Sequence, residues 1–196
     1  MSKQVEFFFD VGSPASYLAW TQIRQLAERH GAQVVYQPML LGGVFKATGN
    51  SSPATVPAKG KYTRVDFLRF AKRYQVPFAH NPFFPINTMQ LMRGAAAYLG
   101  TDQFAPYVDA VFQAMWVEGK DMGNPEVLAE VMGAKGFDLA ELMQKINDPE
   151  VKDRLRQITE RAIELGVFGA PTFFVGDEMF FGQDRLDFVE QALAEQ

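Results

Sequence analysis

Ser13, between Gly12 and Pro14, is the side chain of this sequence best placed to do chemistry. Serine is a favoured N-cap and proline a favoured first helical residue, so Gly12-Ser13-Pro14 reads as the start of a helix. Such a start leaves backbone N–H groups unpaired and carries the positive end of the helix dipole, so it stabilises a nearby anion, a thiolate included. Two readings of Ser13 stand side by side: a hydroxyl that only caps the helix, and one that also donates a hydrogen bond to a bound group. The 196 residues include no cysteine. A disulfide framework, a thiolate metal site and a redox thiol of the chain's own are therefore excluded.

Other chemistries find little support. Gly12-Ser13-Pro14-Ala15-Ser16 is not a G-x-S-x-G nucleophile elbow. The two histidines, His30 and His80, fall at a helix end and in a loop, without the spacing of a catalytic triad or a zinc site, and no metal is expected. No phosphate-binding loop is present. The formal charge is −4 with no Lys/Arg run, so no nucleic-acid partner is expected. No stretch of about 18 apolar residues occurs and the start MSKQVEFFFDV has no secretory pattern. The expectation is no membrane partner and a cytoplasmic location.

The elements that must position Ser13 follow from periodicity. A Phe-rich apolar run over 5–11 reads as a buried strand, a helix follows to about His30 with Gly31 ending it, and 33–38 reads as a second strand. Strand, helix and strand within about 38 residues make a right-handed crossover with parallel strands. Beyond Leu41, Gly42-Gly43, Gly49-Asn50 and Ser51-Ser52-Pro53 interrupt the pattern, leaving short helical pieces at 44–47 and 61–74. Helices are expected at 88–99, 102–116, from Asn124-Pro125 to about 132, and after the Asp138/Glu141 capping box. The last segment returns to α/β: a helix at 153–165, strands at 172–175 and 179–181 around a Gly176-Asp177 turn, and a helix at 184–194. The economical division is one α/β domain from 1–43 and 151–196, with an all-helical insertion at 44–150.

That order, with Ala170-Pro171-Thr172 before the hairpin, resembles the thioredoxin-like fold of the DsbA type. Phe9-Asp10-Val11-Gly12-Ser13-Pro14, Lys46-Ala47-Thr48-Gly49-Asn50, Val167-Phe168-Gly169-Ala170-Pro171-Thr172 and the run from Gly176 to Leu186 are similar to the 2-hydroxychromene-2-carboxylate isomerases and the kappa-class glutathione transferases. The segment 46–50, Asn87-Thr88 and the run 176–186 lean toward the isomerases. The resemblance implies an α/β protein in which a thioredoxin-like domain carries a helical insertion.

It also implies that glutathione is the cofactor and supplies the sulfur that Ser13 meets. Pro171 then corresponds to the cis-proline loop, and Ala170 presents its backbone N–H and C=O to the cysteinyl unit, as an added strand does. Gln183, Asp184 and Arg185 precede the last helix: Asp184 either caps that helix or pairs the γ-glutamyl ammonium while backbone N–H groups take the carboxylate. Arg185 reads equally as a solvated helix arginine. Lys46 is implied to meet a substrate carboxylate, Asn50 and Lys59 to contact glutathione or substrate, and Asn87 to contact substrate. The implied reaction is cis-trans isomerisation between 2-hydroxychromene-2-carboxylate and trans-o-hydroxybenzylidenepyruvate, or on a related small aromatic carboxylate. Its implied course is thiolate addition, rotation about the resulting single bond, and thiolate loss. Relatives suggest a homodimer. Two alternatives stay open: a kappa-like glutathione transferase, and a noncatalytic thioredoxin-like binding module without glutathione affinity.

Overall fold

The computed structural model describes residues 3–196. Strand β1 (Gln4–Phe9) leads through a turn to helix α1 (Pro14–Arg29) and strand β2 (Gln33–Pro38). Six helices follow: α2 (Leu41–Thr48), α3 (Pro57–Tyr74), α4 (Met89–Tyr98), α5 (Phe104–Trp116), α6 (Pro125–Ala134) and α7 (Leu139–Asn147), with a 3-10 turn at Pro53–Thr55. Helix α8 (Pro149–Glu164) returns the chain to the hairpin of β3 (Thr172–Val175) and β4 (Glu178–Phe181). A 3-10 turn at Gln183–Arg185 and helix α9 (Leu186–Glu195) complete it.

The sheet order is β2-β1-β3-β4. β1 runs parallel to β2, with Gln4 opposite Gln33 and Phe9 opposite Pro38, and antiparallel to β3, with Phe7 opposite Phe173. The hairpin sets Phe174 opposite Met179. The crossover and the hairpin are those expected from the sequence. β1 is central and covered on both faces, which is why it reads as a continuous apolar run rather than an alternation. Phe7 and Phe9 share one face with Phe173 and pack toward Trp20 and Phe112. Phe8 and Phe174 point to the other face, over Met39, Val44, Ala162 and Val167. The Phe7 and Phe173 rings stack at 5.0 Å across the β1–β3 pair. The first of these clusters runs without a break into α4, α5, α6 and α7. Trp116 Nε1 reaches back to donate to the Val11 carbonyl at 2.8 Å.

Among the boundaries that differ from the sequence expectation, which include the start of α3 at Pro57 rather than 61, four have a local reason. β1 ends at Phe9 rather than 11, because Asp10 turns its carboxylate onto the Gly12 N–H. Gly42-Gly43 lies inside α2 instead of breaking it: Gly43 faces Thr159 of α8, where an added Cβ would stand 3.2 Å from Cγ2, so its missing side chain permits close helix packing. α8 begins at Pro149, capped by Asp148, which accepts from Glu150 N at 2.8 Å. The final α-helix begins at Leu186, behind the 3-10 turn. The Asn124 and Asp138 caps form as read, accepting from Glu126 N at 2.9 Å and Glu141 N at 3.0 Å. No helix among the described residues is long and apolar enough to cross a membrane.

Packing at two glycines gives a test of this architecture. Gly94 of α4 is buried, and an added Cβ would land on the phenol of Tyr107, itself held by a 3.0 Å bond to the Leu91 carbonyl. Gly94→Ala is expected to cost about 2 kcal/mol in urea unfolding, because the overpacked α4–α5 contact must open. Gly42→Ala meets nothing within 4 Å and should be neutral or stabilising, by up to about 1 kcal/mol.

Candidate active site

The site is built where the C-terminal end of β1 meets the loop before β3. After Phe9 the chain turns sharply, with Ser13 N donating to the Asp10 carbonyl at 3.0 Å. Ser13 is the N-cap of α1 and is 5% exposed. Its Oγ accepts from Ser16 N at 3.1 Å, the expected capping bond, and donates to the Ala170 carbonyl at 3.1 Å. The Ala170–Pro171 peptide is cis, as the motif implied. Thr172 Oγ1 donates to the Gly169 carbonyl at 2.9 Å and fixes that loop from below. A single hydroxyl therefore joins two segments 157 residues apart. Since it carries one proton, an anion that takes the Ser13 hydrogen bond releases the Ala170 carbonyl to accept from the same ligand.

Gly182 N donates to the Pro171 carbonyl at 2.9 Å, which sets the turn at 183–185 against the same loop. Gln183 is buried, and Tyr74 from the end of α3 donates to its carbonyl at 2.7 Å. Burial, helped by Asp187 and Asp184, pushes the Tyr74 phenol up to about 12, so it remains a donor through ordinary alkaline conditions. The capping reading of Asp184 is corrected here. α9 takes Arg185 as its N-cap with no side-chain cap bond, and the Asp184 carboxylate accepts from Arg185 Nη1 at 2.8 Å in an exposed pair.

Asn50, at the end of the α2 segment, donates from Nδ2 to the Phe168 carbonyl at 2.7 Å and so touches the proline loop. Lys46 on α2 and Lys59 in the first turn of α3 are exposed, and among the described residues no ion pair engages either. Asn87 is exposed and accepts from Met89 N at 3.0 Å. The structure thus joins Ser13 to Ala170 directly, brings the turn that holds Gln183 to Pro171 through Gly182, and ties Asn50 to the loop. No hydrogen bond links Lys46, Lys59 or Asn87 to Ser13 or Pro171.

Sequence reasoning passed over three features. Asp10 is 1% exposed and accepts from Gly12 N, Leu41 N and Thr88 Oγ1; the signal was an acid closing a buried strand three residues before Ser13. The Ser16 hydroxyl is wholly buried with no hydrogen-bond partner among the described residues. Phe168 and Phe181, 37% and 41% exposed, pack with centroids 4.7 Å apart, and Phe181 lies against Gly169. A cavity of about 560 Å³ lies elsewhere, between α1 and α5, lined by Trp20, Arg24, Asp109 and Phe112 among others, and contains none of these groups. Among the described residues no cluster of His, Asp or Glu could hold a metal ion.

Comparison with known proteins follows this geometry. The model of the DSBA-like thioredoxin domain matches residues 4–194. The 2-hydroxychromene-2-carboxylate isomerase of Sphingobium xenophagum is 34% identical, with 98% of this chain and 99% of that protein covered. A solved 2-hydroxychromene-2-carboxylate isomerase superposes with a TM-score of 0.87 at 33% identity, covering 98% of this chain and 95% of the other. The human glutathione S-transferase kappa 1 is 26% identical over 100% of this chain and 92% of its own.

Two stability measurements test the local geometry. Ser13→Ala removes the α1 cap and should cost about 1 kcal/mol in urea unfolding. Asp10 supplies a pH signature. Desolvation by burial raises its carboxyl above the ordinary range, against the lowering effect of its three hydrogen bonds. The folded state then binds that proton more tightly than the unfolded state does. Its contribution is full below the ordinary carboxylate range and lost as pH rises through the raised value. The stability of the parent relative to Asp10→Asn should therefore fall as pH is raised above the ordinary carboxylate range, read from urea midpoints across a pH series.

Proposed function

The chain belongs to the DSBA-like thioredoxin family, and from that premise we propose that it is a glutathione-dependent isomerase of 2-hydroxychromene-2-carboxylate or a related small aromatic carboxylate. The observation that carries the reading is the Ser13 hydroxyl, at the start of α1 and 3.1 Å from the carbonyl that precedes cis-Pro171, in a chain without cysteine. A hydroxyl, a helix N-terminus and a peptide carbonyl that accepts from that same hydroxyl suit an external thiol on a peptide backbone. The donor set therefore fits glutathione.

Glutathione, when bound, supplies the thiolate that adds to the activated double bond and leaves again. The chain's own groups do the rest. Ser13 turns its hydroxyl from Ala170 to donate to the sulfur, and the N-terminus of α1 favours the negative charge there. Ala170 exchanges the lost bond for one from the cysteinyl amide. Asp184 leaves Arg185 to pair the γ-glutamyl ammonium, and Gln183 and Arg185 complete that end. Asn50 and Lys59 contact the tripeptide, and Lys46, with Asn50 and Asn87, holds the substrate carboxylate. The exposed Phe168–Phe181 pair offers apolar surface next to Ala170. In this reading 44–150 is a helical insertion in a thioredoxin-like frame of 1–43 and 151–196, and the protein is a cytoplasmic homodimer.

The similarity to the kappa transferases favours a second reading, in which the same glutathione groups serve and the adduct departs as product. The deciding experiment follows the ultraviolet absorbance of 2-hydroxychromene-2-carboxylate with protein, with and without glutathione. A change that requires both is expected. Glutathione binding without that change would move the reading to a transferase. No rise of the melting midpoint with millimolar glutathione would leave a binding module. Ser13→Ala is expected to lower kcat about 100-fold or more while glutathione affinity changes only a few-fold, measured by steady-state kinetics and titration calorimetry. Equal and small losses in both would reduce Ser13 to a helix cap.

A further inference from the structure

We propose that Asp10 is a positioning residue: its carboxylate ties three segments of the site together and sets the distance from Ser13 to the groups that hold the substrate carboxylate. The proposal rests on the isomerase reading for what the site binds, and on geometry for the rest. Asp10 Oδ1 accepts from Gly12 N at 2.9 Å, and the Asp10 carbonyl accepts from Ser13 N at 3.0 Å, so the residue shapes the turn that aims Ser13. Oδ2 accepts from Leu41 N at 2.8 Å and from Thr88 Oγ1 at 3.1 Å, across 31 and 78 residues of sequence.

Those two donors are helix starts. α2 has Leu40 at its N-cap, with no side chain able to cap, and Asp10 takes the Leu41 N–H in its place. α4 has Thr88 at its N-cap, but the hydroxyl makes no cap bond and is spent on Asp10. α2 carries Lys46 and leads to Asn50, and Asn87 immediately precedes Thr88. All three groups proposed to face the substrate thus hang from one buried carboxylate at the root of the Ser13 turn. The packing leaves little slack: a Cβ at Gly12 would stand 2.8 Å from Thr88 Cγ2 and 3.3 Å from Asp10 Oδ1.

Asp10→Asn keeps the volume but turns one acceptor into a donor. In either amide orientation a backbone N–H, of Gly12 or of Leu41, then faces an N–H and loses its partner. Thr88→Val removes only the tie to α4, and Thr88→Ser restores it. A carboxylate that merely stabilises the fold would shift the melting midpoint and leave the ligand constants alone, or weaken every ligand together. Positioning predicts a split instead. KM for 2-hydroxychromene-2-carboxylate should rise about tenfold in Asp10→Asn and in Thr88→Val, with glutathione affinity within about twofold of the parent in Thr88→Val, weakened several-fold less than KM in Asp10→Asn through Asn50, and Thr88→Ser close to the parent in both constants. Amide hydrogen exchange, read without any substrate, should speed up in residues 41–50 and 87–90 in Asp10→Asn and in 87–90 alone in Thr88→Val, with 172–181 unchanged in both. Equal rises in KM and glutathione dissociation constant in Thr88→Val, or exchange in Asp10→Asn that leaves 41–50 untouched, would overturn the proposal. If the parent protein turns over no 2-hydroxychromene-2-carboxylate, the isomerase reading fails, and the exchange result alone decides whether Asp10 ties the segments.

Discussion

β1 is paired on both sides, parallel to β2 from the next segment of chain and antiparallel to β3 from the far end. The remainder of the structure depends on that double pairing. It buries Phe7, Phe8 and Phe9 completely, on opposite faces in turn, so that each face of the sheet gains a core from a single strand. Three buried phenylalanines are worth roughly 5–9 kcal/mol of burial, enough to hold a central strand in register. The same pairing sets Phe8 opposite Thr172, so the chain leaving β1 passes the loop that enters β3, and Ser13 and Ala170 meet there. Ser13 needs no dedicated scaffold: the register that stacks Phe7 on Phe173 also delivers its hydroxyl to the proline loop.

With no thiol on the chain, the start of α1 is left as a prepared position rather than a reagent. A cysteine there would carry its own negative charge onto the helix dipole. A serine offers only polarity and a proton, and both its bonds are satisfied internally, by Ser16 N and the Ala170 carbonyl. The site is therefore closed on itself at rest, and a ligand must exchange these bonds rather than add to them. The cost of breaking the Ser13–Ala170 bond is small where the ligand replaces it from both sides, with an acceptor for the hydroxyl and a donor for the carbonyl. A ligand with only one of those features leaves a polar group unpaired, so the pair favours a ligand that carries both an acceptor and a donor.

Local chemistry made part of this legible in the sequence. The Ser13-Pro14, Asn124-Pro125 and Asp138 helix starts were readable because caps act over three residues, and the Gly176-Asp177 hairpin because turn residues act over two. Gly42-Gly43 misled because the reason for the small residue at Gly43 lies 116 residues away, at Thr159. Asp184 misled in a related way: a cap assignment needs the helix to begin at the next residue, and the 3-10 turn at 183–185 intervenes. Asp10 fell within the strand read over 5–11 and drew no role of its own, since nothing near it in sequence reveals that Leu41 and Thr88 converge on it. The candidate site was legible where a residue works through its own neighbours and silent where it works through tertiary partners.

The position of β3 in the chain has a consequence for how the protein is made. β1 is synthesised first, yet its partner in the antiparallel pairing does not begin until Thr172. While the ribosome works through the intervening helices, one edge of β1 has no partner strand, and Phe7 and Phe8 lack the rings of Phe173 and Phe174. The helices α4 and α5 contribute to the same aromatic cluster and are available earlier, so they can shield Phe7 and Phe9 before the sheet is complete. Phe8 is different: its cover comes from α2, α8 and Phe174, the last of these made only after all the intervening helices. The nascent chain thus carries β1 well before its antiparallel partner exists, and the Ser13–Ala170 contact forms only once α8 has been made.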